Sequence, residues 1–144
     1  MKAGEAIKKI TSRPFNLLGL KPSDLAPFRK FLEEKGYNEK NIYSKLKGKD
    51  IYETHYLLSP LYNEVYLKDL TDLNCLIRLF FINSTVKKER LVELFGEEMF
   101  GFLHRVGIIR KSESGYRSDI AIFSCRGRYI CTDHRFENLC PKNA

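Results

Sequence analysis

Apolar residues recur with helical spacing up to about residue 106 of the chain and with strand spacing beyond it. The strongest helical signal is DLNCLIRLFFI, residues 72–82. One face of this predicted helix carries a wide apolar stripe: Leu73, Leu76, Ile77, Phe80 and Phe81. Asp72 is predicted to cap the helix, and Cys75 is predicted to be a small core residue within it.

Shorter helices are predicted before this segment. PSDLAPFRKFLEEKGY (22–37) and NEKNIYSKLKG (38–48) end at Gly36 and Gly48, and Asn38 is predicted to cap the second helix. KDIYETHYLL (49–58), with Asp50 as its cap, and LYNEVYLK (61–68) are predicted to add further helical turns.

After residue 82 the pattern predicts two helices and then strands. VKKERLVELFG (86–96), capped by Ser84 or Thr85, is followed by EEMFGFLHRVG (97–107). IIRK, the alternating run YRSDIAIF (116–123) and YICTD are predicted strands, separated by turns at SESG and at Arg126–Gly127. Three helices followed by a two-stranded wing is the order of a winged helix.

We therefore predict a mainly α protein with a small antiparallel β wing, an α+β fold. A helical N-terminal subdomain (1–70) is expected to pack on a winged-helix-like domain (71–136), and 137–144 is expected to be a linker.

Composition and charge narrow the possible environments of this fold. The 144 residues carry a net charge of +7, spread along the chain. The N-terminus lacks the apolar core of a signal peptide, and no apolar run is long enough to cross a membrane. We expect a cytoplasmic protein with four reduced cysteines and no membrane partner. The basic excess favours an anionic partner or, alternatively, a solvated surface without one.

The segment CRGRYICTDHRFENLC (125–140) concentrates three cysteines and one histidine. Structural zinc sites use close cysteine pairs, and none occurs here. If 128–133 is a strand, Cys125 and Cys131 lie as much as ~20 Å apart along the chain. We predict a buried Cys131 on an inward strand face and keep a metal-binding module as a minor alternative. Asp133 has no obvious nucleophile or base nearby, so catalysis is not expected in this chain.

Nucleic acid is a candidate partner because basic residues surround the predicted wing. The candidate phosphate-binding residues are Lys87, Lys88, Arg90, Arg110, Lys111, Arg117, Arg126 and Arg128. The third helix begins with Glu97 and Glu98, which disfavours insertion into the major groove. The alternative interpretation is that these cations only keep a small sheet soluble.

Several blocks resemble one family. RGRYICTDHRF, with Thr132, Asp133 and Phe136, resembles the strand that closes the N-terminal domain of class I S-adenosylmethionine-dependent methyltransferases related to the protein-glutamine and N6-adenine enzymes. LAPFRKFLEEKGYNEKNI, LIRLFFINSTV and FGEEMFGFLHRVGIIRKSESGYRSDIAIF follow the same order, so the resemblance covers roughly residues 24–136.

The resemblance implies a substrate-recognition or docking domain that binds RNA, DNA or a protein. The family's Gly-rich loop and Asn-Pro-Pro-Tyr motif are absent from the chain. S-adenosylmethionine is therefore expected in a catalytic domain that comes after residue 144 in cis, and no cofactor is expected in this chain. A stand-alone winged-helix DNA-binding regulator is the alternative function.

Overall fold

The computed structural model describes residues 20–47 and 61–133, and these ranges form an α+β fold, as predicted. Their helices are α1 (Pro22–Glu34), α2 (Glu39–Leu46), a π-helix (Tyr62–Tyr66), α3 (Asp72–Phe80), α4 (Lys88–Phe95) and α5 (Glu97–Arg105). Their strands are β1 (Ile109–Ser112), β2 (Gly115–Ser118), β3 (Ile120–Cys125) and β4 (Arg128–Asp133). The segment 49–58 with its predicted cap, and the predicted linker 137–144, lie outside the described residues.

The first two helices begin and end through local hydrogen bonds. Lys21 is the N-cap of α1, and its backbone N–H donates to the Asp24 carboxylate at 2.9 Å. Asn38 caps α2 as predicted, because its side chain accepts from the backbone N–H of Asn41. The C-cap of α2 is Lys47, with a left-handed φ of 60°, and the predicted helix end at Gly48 lies outside the described residues.

Helix α3 lies at the centre of the core. Leu76, Ile77, Phe80 and Phe81 of the predicted apolar stripe are buried, whereas Leu73, its first residue, is partly buried. Cys75 is buried as predicted. The cap is Thr71 and not Asp72, because the Thr71 hydroxyl accepts from the backbone N–H of Asn74.

A third extended segment joins the wing ahead of α4. Val86 and Tyr116 exchange two backbone hydrogen bonds of 2.9 and 2.8 Å, and this bridge lies beside the β1–β2 hairpin. Because Val86 is extended, α4 starts later than predicted, with Lys87 and not Ser84 or Thr85 as its N-cap. The order helix, bridge, two helices and two strands is that of a winged helix.

The run 116–123 was predicted as one strand, but it divides between two sheets. β2 pairs with β1 and ends before Asp119, and β3 begins after Asp119 and pairs with β4. The Ser118 hydroxyl, fully buried at this corner, accepts from the backbone N–H of Ile120 and lies 2.8 Å from the carbonyl oxygen of Ile108. The predicted turn at Arg126–Gly127 is confirmed, with φ of 51° and 75°, the left-handed pair that a tight hairpin requires.

The β3–β4 hairpin packs on the N-terminal helices and on the end of α3. The ring of Phe123 meets that of Phe81 edge-on at 5.7 Å, and the Tyr37 hydroxyl donates to the carbonyl of Ile122 at 2.6 Å. Within 20–47 and 61–133, no helix combines the length and apolar character that crossing a membrane requires.

Candidate nucleic-acid interface on the wing

At the turn of the wing, the backbone of Gly115 lies close to the backbone of Val86. Gly115 has a φ of 153°, and a Cβ at this position would lie 2.6 Å from the carbonyl oxygen of Val86. Because that contact is with backbone, a side chain here would push the Val86 segment away from β2. Glycine therefore allows the third segment of the wing to pair.

An aromatic cluster fixes the wing against α5. The ring of Tyr116 is buried and meets Phe100 and His104 edge-on, with centroid distances of 5.1 and 5.5 Å. These contacts set the position of β2 relative to α5, and with it the position of the basic residues on both strands.

Two of the predicted arginines are direct cross-strand neighbours. Arg110 lies opposite Arg117 in the β1–β2 register, an arrangement in which two like charges repel. Asp119 offsets this repulsion, because its carboxylate lies 2.8 Å from the Arg110 guanidinium. Much of the Arg110 charge is thus neutralised within the protein.

Three lysines form the part of the predicted patch that remains open to a ligand. Lys87 and Lys88 come directly after Val86 and are exposed, and Lys111 lies exposed opposite Tyr116. Within the described ranges, their side chains make no ion pair or hydrogen bond to the protein. We call these three residues the wing lysines.

Arg90 was predicted to join the patch but takes part in a structural network. Its guanidinium lies 2.7 Å from the Asp72 carboxylate and also donates to the carbonyl of Leu70. Lys35 donates to the other Asp72 oxygen at 2.8 Å, so α1, α3 and α4 meet at one carboxylate. Hydrogen bonds from Lys35 and then from Arg90 lower the pKa of Asp72 from its ordinary value.

Arg126 and Arg128 lie on the other hairpin. Arg126 occupies the β3–β4 turn, where its backbone N–H donates to the Glu39 carboxylate at 2.9 Å, and Arg128 begins β4. The predicted patch is therefore divided: Arg110, Lys111 and Arg117 lie in the wing, Arg126 and Arg128 lie on the other hairpin, and Lys87, Lys88 and Arg90 lie at the start of α4.

The cysteine-rich segment has a different geometry from the one expected. The hairpin pairs Cys125 with Arg128 and Ile122 with Cys131, so the two thiols lie on opposite faces, about 10 Å apart along the strands. Cys131 was predicted to be buried but is exposed. Among the described residues, no group of three or more His, Cys, Asp or Glu side chains is placed to hold a metal ion. His134 and Cys140 lie outside that part of the chain.

Sequence patterns gave no indication of the residues that join distant parts of the fold. Asp72 was predicted only as a cap, and Tyr37 only as the last residue of a helical segment. Neither role has a local signal, because their partners are distant in sequence: Arg90 for Asp72, and Ile122 for Tyr37.

Comparisons with protein-family models, with curated proteins and with solved structures found no match to this chain.

Proposed function

We propose that this chain is a non-catalytic recognition domain that uses its winged helix to hold a macromolecule for an S-adenosylmethionine-dependent methyltransferase domain. The bridge between Val86 and Tyr116 is the observation that carries the proposal. It completes the winged-helix order of elements, which is the order that the methyltransferase resemblance implies. It also places Lys87 and Lys88 directly after the segment that pairs with β2.

Nucleic acid is the macromolecule that the charges favour. The wing lysines present three exposed cations, and phosphate contacts need no side-chain geometry beyond a mobile positive charge. The leading end of α5 carries the exposed carboxylates of Glu97 and Glu98, which repel phosphates. The proposed contact is therefore phosphate tracking along the wing, without base reading by α5.

A stand-alone DNA-binding regulator is the second candidate, because a basic wing serves either role. The two candidates differ in where the cofactor binds and in the codons downstream of residue 144. A Gly-rich loop and an Asn-Pro-Pro motif in those codons are expected for the methyltransferase role. Calorimetric binding of S-adenosylmethionine to this chain alone would contradict the proposed separation of recognition from catalysis.

The wing contact is tested by fluorescence anisotropy with labelled double-stranded DNA and RNA of one sequence over a range of salt concentrations. Replacing Lys87, Lys88 and Lys111 with Ala is expected to weaken binding and to reduce the slope of log K against log salt by about 0.9 per lost contact on DNA. A matched control replaces three exposed lysines of α1 and α2: Lys30, Lys40 and Lys45. Equal slopes in the two triple variants would exclude the wing as the phosphate-binding surface.

A further inference from the structure

β4 is an edge strand of the two-stranded β3–β4 sheet. The pair beside the two-residue turn, Cys125 and Arg128, is hydrogen-bonded, and hydrogen-bonded pairs alternate with non-bonded pairs along an antiparallel ladder. By this alternation Ile122 and Cys131 form a non-bonded pair, whose backbone groups point away from the partner strand. The Tyr37 hydroxyl donates to the carbonyl of Ile122, which agrees with a carbonyl that β4 does not use.

The outward backbone groups of β4 are open, unlike the carbonyl of Ile122 on β3. Tyr129 and Cys131 lie two residues apart, so the N–H and C=O groups of both point to the open edge. Among the described residues these groups have no hydrogen-bond partner. Ile130, which lies between them, is 50% exposed. Lysine, proline and bulges are the features by which edge strands avoid pairing with other chains, and β4 has none of them.

Symmetry restricts how this edge could pair with the same edge of a second copy of the chain. In an antiparallel pairing of two identical strands, the two-fold axis must carry each cross-strand pair onto an identical pair. Because neighbouring pairs differ in type, the axis passes through one pair, and the residue there lies opposite its own counterpart. Ile130 satisfies this condition: its own backbone groups point to β3, and the outward groups of Tyr129 and Cys131 then meet across the interface.

We propose that two copies of this chain pair antiparallel through β4, with Ile130 opposite its counterpart. This register covers the two exposed isoleucine side chains with each other. It also places Arg128 opposite Thr132 of the second copy, so that like charges do not face each other. The edge belongs to the hairpin that lacks the wing lysines, so this inference does not rest on the proposed function.

Disulfide trapping tests the register. Ile130→Cys, in a background with Cys125, Cys131 and Cys140 replaced by Ser, is expected to cross-link two chains in a glutathione redox buffer, while Cys75 stays buried. Directly opposite residues of a non-bonded pair lie about 4.5 Å apart, within the range that a disulfide spans. Non-reducing electrophoresis measures the cross-linked fraction.

The matched control for trapping keeps Ile130 and has Cys131 as its accessible thiol, with Cys125 and Cys140 replaced by Ser. In the proposed register the two copies of Cys131 are offset by about 7 Å along the strands, in addition to the distance between strands, so little cross-linking is expected. A control that cross-links as fast as the Ile130→Cys chain overturns the register. Cross-linking of neither chain overturns the dimer.

Proline at Cys131 tests the backbone contact. Cys131→Pro removes an N–H that β3 does not use, so the fold is expected to persist, as far-UV circular dichroism would record, and the dimer to be lost. Cys131→Ser keeps the N–H and is expected to associate like the wild type. Sedimentation velocity over a range of protein concentrations measures association. Equal association of the two variants overturns the proposal.

Charge at Ile130 provides a test that leaves the backbone unchanged. Ile130→Lys places two like charges opposite each other and is expected to weaken association about ten-fold or more. Ile130→Val, which keeps an apolar β-branched side chain, is expected to associate within about two-fold of the wild type. Equal association of these two variants would show that Ile130 is not at the interface and would overturn the register.

Amide exchange in the wild type distinguishes a second copy from any other cover of the edge. A single pair of strands makes a small interface, so a weak dimer is expected, and exchange at the Cys131 amide should slow as protein concentration rises. A slow rate at every concentration would mean that another segment of the chain covers the edge. A fast rate at every concentration would mean that the edge stays open, and either result overturns the proposal.

Discussion

The two hairpins of this protein are both antiparallel but differ in what holds them. The β1–β2 wing has four paired positions, while the β3–β4 hairpin has six. The shorter hairpin is fixed by a third segment at Val86 and by the buried ring of Tyr116. The longer one is held by Tyr37 and by the packing of Phe123 on Phe81.

The two hairpins differ in how deeply their tyrosines are buried. Tyr116 is 8% exposed, whereas Tyr129 is only partly buried at the edge of a groove. The wing is therefore held through a core side chain, whereas the hydroxyl of Tyr129 holds β4 by a hydrogen bond to Tyr37. The β3–β4 hairpin instead borders an apolar groove whose other wall is α1.

The largest expected difference comes from the two tyrosines. Tyr116→Ala is expected to lower the free energy of unfolding by about 3 kcal/mol, because it leaves a cavity between Phe100 and His104. Tyr129→Ala is expected to cost about 1 to 2 kcal/mol, since less of the ring is buried. Urea unfolding followed by circular dichroism measures both. A larger loss of unfolding free energy at Tyr129 would show that Tyr129 contributes more to stability than Tyr116.

The glycines of the two hairpins provide the second comparison. Gly115→Ala is expected to destabilise the protein by about 2 to 3 kcal/mol, because the new Cβ meets the carbonyl oxygen of Val86. Gly127→Ala is the matched control: its φ is also positive, but a Cβ there meets nothing within 4 Å, so about 1 kcal/mol is expected. Similar losses from the same unfolding measurement would show that the Val86 segment gives way easily.

The smallest expected effect on stability is at Asp72, whose carboxylate joins α1, α3 and α4. Asp72→Asn is expected to lower stability at pH 7 by about 0.5 to 1 kcal/mol, since the carboxylate is 41% exposed and its ion pairs are partly screened. Folding lowers the pKa of Asp72, so the carboxylate stabilises the protein fully above the pKa that Asp72 has in the unfolded chain. This stabilisation is lost as pH falls through the lower pKa of the folded state.

The wild-type and Asp72→Asn stabilities are therefore expected to converge in acid, as urea unfolding at several pH values would record. Amide exchange should rise equally in β2 and β3 of the variant. An effect confined to one hairpin would mean that the network with Lys35 and Arg90 supports that hairpin alone.

Sequence periodicity predicted most helices and strands but failed where local alternatives were equivalent. Thr71 and Asp72 are both good capping residues, and only the observed hydrogen bond to Asn74 distinguishes them. The run 116–123 was predicted as one strand, although its polar residues Arg117 to Asp119 are followed by four apolar residues from Ile120, where the second strand begins. Of the eight predicted basic residues, five surround the wing, two lie on the other hairpin and Arg90 is part of the scaffold.

The sequence by itself determined the α+β class, the order of helices and strands, and the apolar face of α3, because each depends on side-chain spacing within one element. Tertiary structure alone decided that the wing contains a third segment, that Asp72 joins three helices, and that an apolar groove opens beside Arg128. The physical reason is that the first two features are contacts between residues 18 to 37 positions apart, and the groove brings α1 together with β3 and β4. No local propensity encodes such contacts.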